Sequence, residues 1–371
     1  MIPYSRQSIS KQDIRAVQQV LRLDWLTQGP NVFAFEKALA RYCRVPYAVA
    51  VSSGTAALHL AYLAAGLKKG DEVITTPNTF VATSNMLLAV GAEPVFCDIR
   101  LETYNLDETK LENLITRRTK AIVPVHFAGQ PCEMDAILKI AKKHKLIVVE
   151  DACHALGASY RGNKIGSLSS DMTVFSFHAV KAITTGEGGA VITNNRQYYK
   201  RLLLLRSHGI YKNLQGKNVM TVLGYNYRLT DIQAALGLSQ LKKLDWFIAK
   251  RRRVAEWYRE ELKDIEEIIL PTPHEGSGSA CHLYVIRVRN PKLRDRLWAY
   301  LQKRGIGANL HYPAVYSHPY YRKIGYRNLR LPNEEIYQHS CLTLPCHPTL
   351  KRNQVEYVCG AVKNFIKNYD L

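Results

Sequence analysis

One lysine stands where its amine could act as a nucleophile. Lys181 follows an apolar stretch, residues 172–177, whose composition predicts a buried strand. An ammonium group placed directly after a buried strand is poorly hydrated, and desolvation lowers its pKa. The free amine that results could form a Schiff base with an aldehyde. Taken alone, Lys181 would be better explained as an ordinary loop lysine that points at water.

An aspartate follows another predicted buried strand, residues 145–150, earlier in the chain. Ligands of open α/β sheets bind at the carboxyl ends of parallel strands, which is where Asp151 is expected to lie. A carboxylate there could pair with the pyridinium nitrogen of pyridoxal phosphate and keep it protonated, so that the ring acts as an electron sink. Taken alone, Asp151 could equally be a helix cap or a loop carboxylate.

A short polar turn lies further upstream, between a predicted strand at 47–52 and a predicted helix at 55–66. Its residues are Ser53, Gly54, Thr55 and Ala56. Free N–H groups and the positive end of the helix dipole make such a helix start a site for phosphate. The alternative for this turn is a plain N-cap. A phosphate cradle, a strand-end aspartate and a post-strand lysine in this order predict a pyridoxal phosphate site.

The elements that must position these residues alternate regularly along the chain. Strands are predicted at 47–52, 72–76, 94–98, 120–125, 145–150, 172–177 and 189–193. Helices are predicted between them near 55–66, 79–90, 107–116 and 132–144. This alternation predicts a mostly parallel sheet covered by helices. We expect a large α/β domain over residues 10–245 and a smaller α+β domain over residues 246–371.

The three motifs together resemble the sugar aminotransferases of the DegT/DnrJ/EryC1/StrS family. The resemblance covers nearly the whole chain and includes residues 26–30, 70–74 and 150–157 as well as the lysine motif. It implies the pyridoxal phosphate-dependent aspartate aminotransferase-type fold (fold type I). That fold has a large α/β domain with a mostly parallel seven-stranded sheet, followed by a smaller C-terminal α+β domain. Residues 175–185 and 224–233 are similar to the branch of the family that acts in pseudaminic acid biosynthesis.

The resemblance implies a role for each residue around the cofactor. Lys181 would be the catalytic residue that carries pyridoxal phosphate and moves a proton between the amino donor and the cofactor. Asp151 would hold the pyridinium, and His154 would lie near the phenolic oxygen, with a core histidine as an equal alternative. The implied cofactor-binding residues are Asp151, His154, Ser176, Gly54, Thr55, Ala56, Phe80 and, from the neighbouring subunit, Asn226.

The same resemblance implies substrates and a partner. The expected reaction moves an amino group from L-glutamate to C4 of a UDP-linked 4-keto-6-deoxy-N-acetylhexosamine. The implied substrate-binding residues are Tyr4, Asp24, Trp25, Leu26, Thr27, Ser53, Arg228, His311, Tyr312, Pro313 and Ala314. Because Asn226 would reach the phosphate of a second subunit, we expect a homodimer with a shared active site.

Composition narrows the class of protein. The chain has 371 residues, 47% of them apolar and 22% charged, which is ordinary for a globular protein with a large core. No stretch approaches the ~20 consecutive apolar residues of a transmembrane helix. The eight cysteines stand singly, so they predict reduced thiols with neither a disulfide framework nor a metal site. We therefore expect a cytoplasmic protein that binds no membrane.

A formal net charge of +20 leaves other readings open. It would suit nucleic-acid binding, yet the basic residues are spread out, and the densest run, residues 250–253, is expected to be a solvated helix face. A basic surface would also attract a substrate with a diphosphate, and we expect no nucleic-acid partner. The alternatives are another nucleotide-sugar 3- or 4-aminotransferase, a basic regulatory relative without catalysis, or a relative with an exposed, inert Lys181.

Overall fold

The computed structural model describes residues 1–272 and 274–368, so Pro273 and residues 369–371 lie outside it. Helices occur throughout the described chain. They are α1 (Lys11–Val20), α2 (Pro30–Cys43), α3 (Gly54–Ala65), α4 (Ala82–Ala89), α5 (Met134–His144), α6 (Arg196–Arg206), α7 (Asp231–Leu241), α8 (Leu244–Leu262), α9 (Pro291–Lys303), α10 (Pro319–Lys323), α11 (Pro332–Ser340) and α12 (Arg352–Lys367).

Strands alternate with these helices in the first half of the chain and are fewer in the second. They are β1 (Tyr47–Val51), β2 (Glu72–Thr75), β3 (Glu93–Phe96), β4 (Thr119–Val123), β5 (Ile147–Asp151), β6 (Ser159–Tyr160), β7 (Asn163–Lys164), β8 (Met172–Ser176), β9 (Gly189–Thr193), β10 (Ile210–Lys212), β11 (Asn218–Met220), β12 (Ile268–Ile269), β13 (Ser277–Gly278), β14 (Tyr284–Val288) and β15 (Cys341–Leu344).

The main sheet has seven strands in the order β1-β9-β8-β5-β4-β2-β3. The neighbours from β8 through β5, β4 and β2 to β3 pair in parallel, and β9 pairs antiparallel with both β1 and β8. The predicted fold class, an α/β unit of the aspartate aminotransferase type with a mostly parallel seven-stranded sheet, is confirmed.

Both faces of this sheet are buried, as expected for parallel strands with crossover helices. Alternate strand residues point to opposite sides, so Val49 and Val174 pack in one core and Ala50 and Phe175 in the other. Helices α3, α4 and α6 cover the first side, whereas α2, α5, α7 and α8 cover the second. The sheet is therefore a rigid platform whose strand ends can carry chemistry.

The C-terminal part forms its own small sheet, in which β14 pairs antiparallel with β12 and β15. Apolar residues of α8, α9 and α12 pack with this sheet, including Val254, Leu297 and Val358. The domain boundary predicted between residues 245 and 246 falls inside α8 and stays a prediction. The predicted second domain, 246–371, also includes the residues that lie outside the description.

Two local predictions are wrong. The helix expected at 107–116 is replaced by two short 3₁₀ helices, Glu108–Lys110 and Glu112–Leu114. The basic run at 250–253 is not simply a solvated face, because Arg251 is only 1% exposed. Both predictions rest on local sequence alone. The burial of residues on α8 depends instead on segments far away in the chain. Among the described residues, no helix has the length and apolar character needed to cross a membrane.

Candidate active site

A cavity of about 520 Å³ opens at the carboxyl ends of the central strands. The segments after β1, β2, β4, β5 and β8 form its floor. Tyr4 and two C-terminal segments, residues 282–283 and 309–312, form the opposite wall. All three sequence motifs meet in this cavity, which is where open α/β sheets bind ligands.

Lys181 lies in a tight turn after β8, where its N–H donates to the His178 carbonyl at 2.9 Å. Its side chain is half-buried and lines the cavity. Burial lowers the pKa of the Lys181 ammonium; the positive charge of Arg251 also lowers it, whereas Cys153 and Asp151 oppose the shift. The alternative of an exposed, inert Lys181 is therefore not supported, because the side chain is half-buried in the cavity lining.

Asp151 ends β5 and is held by two hydrogen bonds. Its Oδ2 accepts a 2.7 Å hydrogen bond from the Thr83 hydroxyl, and its Oδ1 accepts a 3.1 Å bond from the Cys153 N–H. The Thr83 hydroxyl also contacts the Thr79 hydroxyl at 2.8 Å. The carboxylate is buried but faces the cavity, so it is oriented and retains lone pairs for a ligand cation.

The start of α3 forms the expected cradle. The Ser53 hydroxyl caps the helix by accepting the Ala56 N–H at 3.0 Å. The N–H groups of Gly54 and Thr55 form no hydrogen bond within the described chain. A Cβ atom on Gly54 would lie 3.0 Å from the Ser176 Cβ, so the glycine leaves room beside the Ser176 hydroxyl. These groups fit a phosphate. The prediction that Ala56 also binds the cofactor needs correction, because its N–H already donates to the Ser53 hydroxyl.

Aromatic side chains of the floor and of the opposite wall meet in the cavity. The Nε2 atom of His154 lies 3.3 Å from the Tyr312 hydroxyl, and its ring centroid is 4.5 Å from that of His282. Burial lowers the pKa of His154 well below its usual value, and burial together with the Lys181 charge lowers the pKa of His311 to about 4. Both imidazoles are therefore neutral near pH 7. The Nδ1 atoms of His154 and His282 have no partner in the described chain, which leaves polar capacity beside the cavity.

These residues fit pyridoxal phosphate. One cavity contains an amine of lowered pKa, an oriented carboxylate, and two free N–H groups beside a serine hydroxyl. Phe80 stands 58% exposed at the cavity, with its ring centroid 6.2 Å from that of Tyr312. Its position leaves a ring face free to stack on a planar ligand.

A family model matches residues 7–363, almost the entire chain. The chain belongs to the DegT/DnrJ/EryC1/StrS aminotransferase family. Enzymes of this family are pyridoxal phosphate-dependent sugar aminotransferases, and this protein is therefore one as well. The predictions of the family, of an enzyme and of its cofactor are confirmed, and the non-catalytic alternative loses its support.

Three relatives show how strong the likeness is. The chain is 41% identical to the spore coat polysaccharide biosynthesis protein SpsC of Bacillus subtilis, over 100% of this chain and 98% of that protein. It is 40% identical to the UDP-4-amino-4,6-dideoxy-N-acetyl-beta-L-altrosamine transaminase of Campylobacter jejuni, over 96% of each. The structure of Helicobacter pylori PseC, an aminotransferase involved in the biosynthesis of pseudoaminic acid, superposes with a TM-score of 0.95 at 38% identity, covering 99% of both chains.

The structure brings only some of the expected substrate residues of this family member to the cavity. Tyr4, Ser53, His311 and Tyr312 line it. Two further predictions need correction, and the reason is the course of the chain after Tyr312. Pro313 points to solvent, and Ala314 is buried with Phe96 and Val315 in a separate apolar cluster.

A second group of predicted residues lies outside the cavity of its own chain. Asp24, Trp25, Leu26 and Thr27 are exposed, and this loop is tied to the start of α7 by a bridge between Thr27 and Thr230. The group has two other members: Asn226 is exposed, and Arg228 is half-buried. A role for these residues in the same chain's site is not supported, so their predicted roles require a second subunit.

The residues around the site that the sequence did not predict include Thr83, Arg251, His282 and Asn309. Thr83 had a usable signal, because the spacing of four from Thr79 places both hydroxyls on one side of a helical turn. The other three had none. A lone histidine, a lone asparagine and one arginine in a basic run carry no local mark of their distant contacts.

Proposed function

We propose that this aminotransferase transfers the amino group of L-glutamate to C4 of a UDP-linked 4-keto-6-deoxy-N-acetylhexosamine, in pseudaminic acid biosynthesis. The observation that carries the proposal is the 40% identity, over 96% of both chains, to the UDP-4-amino-4,6-dideoxy-N-acetyl-beta-L-altrosamine transaminase of Campylobacter jejuni. The likeness to PseC, at 38% identity and a TM-score of 0.95, supports it through sequence and fold.

The residues of the cavity divide the work between them. Bound pyridoxal phosphate supplies an aldehyde that can accept an amino group and a ring that acts as an electron sink. Asp151, whose carboxylate is oriented by Thr83 and Cys153, would hold the proton on the ring nitrogen. The N–H groups of Gly54 and Thr55 and the Ser176 hydroxyl would hold the phosphate. The Lys181 amine, whose pKa is lowered by burial, would accept a proton from the α-carbon of the amino donor and deliver it to C4′ of the cofactor.

We infer that the functional unit is a homodimer with a shared active site. Within the described residues, the cavity lining contains no arginine and no lysine other than Lys181. A diphosphate needs cations, and Arg228 lies outside the cavity of its own chain. Large apolar side chains in or near these segments are exposed, including Trp25, Phe33 and Leu223, which is typical of a surface that a partner covers.

We infer that the enzyme acts in the cytoplasm and that its positive charge favours encounter with its substrate. All eight cysteines are free thiols, as they would be in a reducing compartment. A net charge of +20 attracts a UDP-linked sugar, whose diphosphate is negative, and raises the rate of encounter at low salt.

Visible absorption tests the first half of the reaction. Purified protein with added pyridoxal phosphate should show a yellow band that bleaches with L-glutamate. Lys181→Ala should lose both signals, whereas Lys142→Ala, which changes an exposed lysine of α5, should retain them. A wild-type protein that stays colourless after cofactor addition would reject the proposed mechanism.

A panel of keto-sugars tests the substrate. The runner-up function is another nucleotide-sugar 3- or 4-aminotransferase. The 41% identity to SpsC, a polysaccharide biosynthesis protein, is the reason to test it. Wild-type enzyme is loaded with the amino group from glutamate and then mixed with UDP- and dTDP-linked 3-keto and 4-keto sugars. Return of the yellow band with the UDP-linked 4-keto-6-deoxy-N-acetylhexosamine, and an amine at C4 by NMR, would support the proposal; preference for another sugar would favour the runner-up.

A further inference from the structure

Arg251 is an unusual residue of this fold, because its charge is buried without a carboxylate. It lies on α8, is 1% exposed and forms no ion pair within residues 1–272 and 274–368. A buried guanidinium stays ionised, and burying it without a counter-ion is costly. An apolar side chain of similar volume would fill the same space at lower cost. The planar set of N–H donors of Arg251 (its fork) or its charge must therefore contribute something that packing alone does not.

The guanidinium of Arg251 joins three distant segments through their carbonyl oxygens. Its Nη1 donates to the Cys346 carbonyl at 2.6 Å and to the His282 carbonyl at 3.1 Å. Its Nη2 donates to the Val180 carbonyl at 3.4 Å. A planar group with several fixed donors can serve three acceptors at once, which a lysine ammonium of different shape cannot reproduce.

Each of these segments belongs to the cavity or its support. Val180 directly precedes Lys181, and its carbonyl also accepts a 3.4 Å hydrogen bond from the Ser5 hydroxyl. His282 lines the wall opposite Lys181, just before β14. Cys346 follows β15, the neighbour of β14 in the small sheet. Arg251 therefore connects the turn that carries the lysine to the wall that faces it.

We propose that Arg251 is a positioning residue for Lys181: its guanidinium holds the Val180 turn against the His282 wall so that the lysine amine stays directed into the cavity. This inference rests on the proposed function, which it deepens. Arg251 itself does not line the cavity, and it acts through the backbone and the field at Lys181.

The charge of Arg251 adds a second, measurable effect. Burial is the larger cause that lowers the pKa of Lys181, and the Arg251 charge acts in the same direction. The other titratable groups that interact with Lys181 are Asp151, Cys153, His154, His282 and His311. Removing the guanidinium charge leaves these groups in place and should raise the pKa of the Lys181 amine.

Two variants separate the charge from the fork. Arg251→Met removes both, whereas Arg251→Lys keeps the charge and loses the three-way hydrogen bonding. Arg252→Met is the matched control, because the Arg252 guanidinium donates to the Ser279 carbonyl at 2.8 Å and does not reach the Lys181 turn. Folding is checked for each by circular dichroism and thermal unfolding of the full chain.

The first readout uses protein without cofactor. The rate at which an aldehyde and a borohydride reagent modify Lys181 is followed against pH by peptide mass spectrometry. We expect the midpoint for Arg251→Met to move up by about one pH unit, while Arg251→Lys and Arg252→Met stay near the wild type. The second readout is turnover with glutamate. Both Arg251 variants should lose about tenfold in kcat with KM changed less than about threefold, as expected when a reacting group is misplaced.

Several outcomes would overturn the proposal. An unchanged midpoint with kcat within about twofold of wild type in Arg251→Met would reject it. If neither variant folds, or if activity falls only in proportion to folded protein, Arg251 is a structural residue and the proposal is rejected. Failure of wild-type protein to bind pyridoxal phosphate would reject the proposed function instead, and the Lys181 midpoint in cofactor-free protein would still decide the role of Arg251.

Discussion

Single residues set the chemistry of this site through a few short contacts in a buried environment. Asp151 owes its orientation to the hydroxyl of Thr83 and to one backbone N–H, and Lys181 owes its lowered pKa first to burial. Histidines near them are kept neutral, so they contribute hydrogen bonds without charge. Small changes at these positions should therefore have effects that can be measured one bond at a time.

Thr83→Val tests the support of Asp151. The substitution keeps the shape of the side chain but removes the 2.7 Å hydrogen bond to Oδ2. Hydrogen bonds to charged groups contribute about 1.5–3 kcal/mol, so we expect the dissociation constant for pyridoxal phosphate to rise tenfold or more. Titration of cofactor-free protein by absorbance measures it. Thr83→Ser should retain wild-type affinity, and a serine variant as weak as the valine variant would contradict the role of the hydroxyl.

Glu334→Gln tests a buried acid away from the cavity. Neither carboxylate oxygen of Glu334 has a partner in the described chain, and burial, with Asp98 nearby, raises the pKa of Glu334 well above its usual value. A raised pKa stabilises the folded protein below the unfolded value, and this contribution is lost as pH rises toward the folded value, at about 1.4 kcal/mol per pH unit.

We therefore expect Glu334→Gln to raise the melting temperature at pH 8 and to have little effect at pH 4.5. Thermal unfolding across this range measures the difference. Glu335→Gln, at the more exposed neighbouring position, is the control and should give no such slope. A stability difference that does not change with pH would show that Glu334 is already ionised in the folded protein.

At the scale of elements, the sheet edge and one helix start hold the cofactor site. The turn between β1 and α3 works because it packs against the end of β8 and leaves N–H groups free. Gly54 permits this approach, and Gly189 lets β9 lie against the Ser53 carbonyl, where a Cβ atom would clash. The site is thus built from the contact between elements and not from any one of them.

Gly54→Ala tests this contact. Its Cβ would lie 3.0 Å from the Ser176 Cβ and 3.3 Å from the Cys153 Sγ, which overpacks the cradle. We expect about a tenfold loss of pyridoxal phosphate affinity, measured by the same titration. Gly360→Ala is the matched control in α12, where a Cβ meets open space; it should raise stability by about 1 kcal/mol and leave affinity unchanged. Wild-type affinity in Gly54→Ala would show that the phosphate lies elsewhere.

At the scale of the whole molecule, the single chain provides a cofactor site but few cations for a diphosphate. The loop 24–27 and the segment 226–228 lie outside the chain's own cavity, beside exposed apolar side chains. If a second copy covers this surface, these segments can complete the neighbouring site. The proposed homodimer would then join cofactor chemistry from one subunit to substrate contacts from the other.

Mixing two inactive variants tests the shared site. Lys181→Ala removes the amine, and Asn226→Asp places a negative charge where a phosphate of the neighbouring subunit is expected. In a mixed dimer one site would contain both changes and the other neither, so random mixing should restore about a quarter of wild-type activity. Activity is measured after the variants are unfolded and refolded together. Activity equal to the mean of the two parents would show that Asn226 acts within its own chain or not at all.

Local sequence was sufficient for the parts of this protein that depend on neighbours in the chain. The seven strands, the capped helix starts and the order of Ser53-Gly54-Thr55, Asp151 and Lys181 follow from hydrophobic periodicity and turn chemistry, which act over a few residues. Because parallel strands bring their carboxyl ends to one edge, this order already predicted a common cavity.

Tertiary structure alone decided which side chains enter that cavity. The sequence allows His154 to be a core residue or a ligand contact, and the fold places it at the cavity beside Tyr312 and His282. Ala314 lies outside the cavity because the chain there packs in another apolar cluster. Arg251 was expected to be solvated but is buried, because its hydrogen-bond acceptors come from segments far apart in the sequence. They are the carbonyl groups of Val180, His282 and Cys346. Burial and long-range hydrogen bonding depend on the packing of the entire chain, and no local pattern records them.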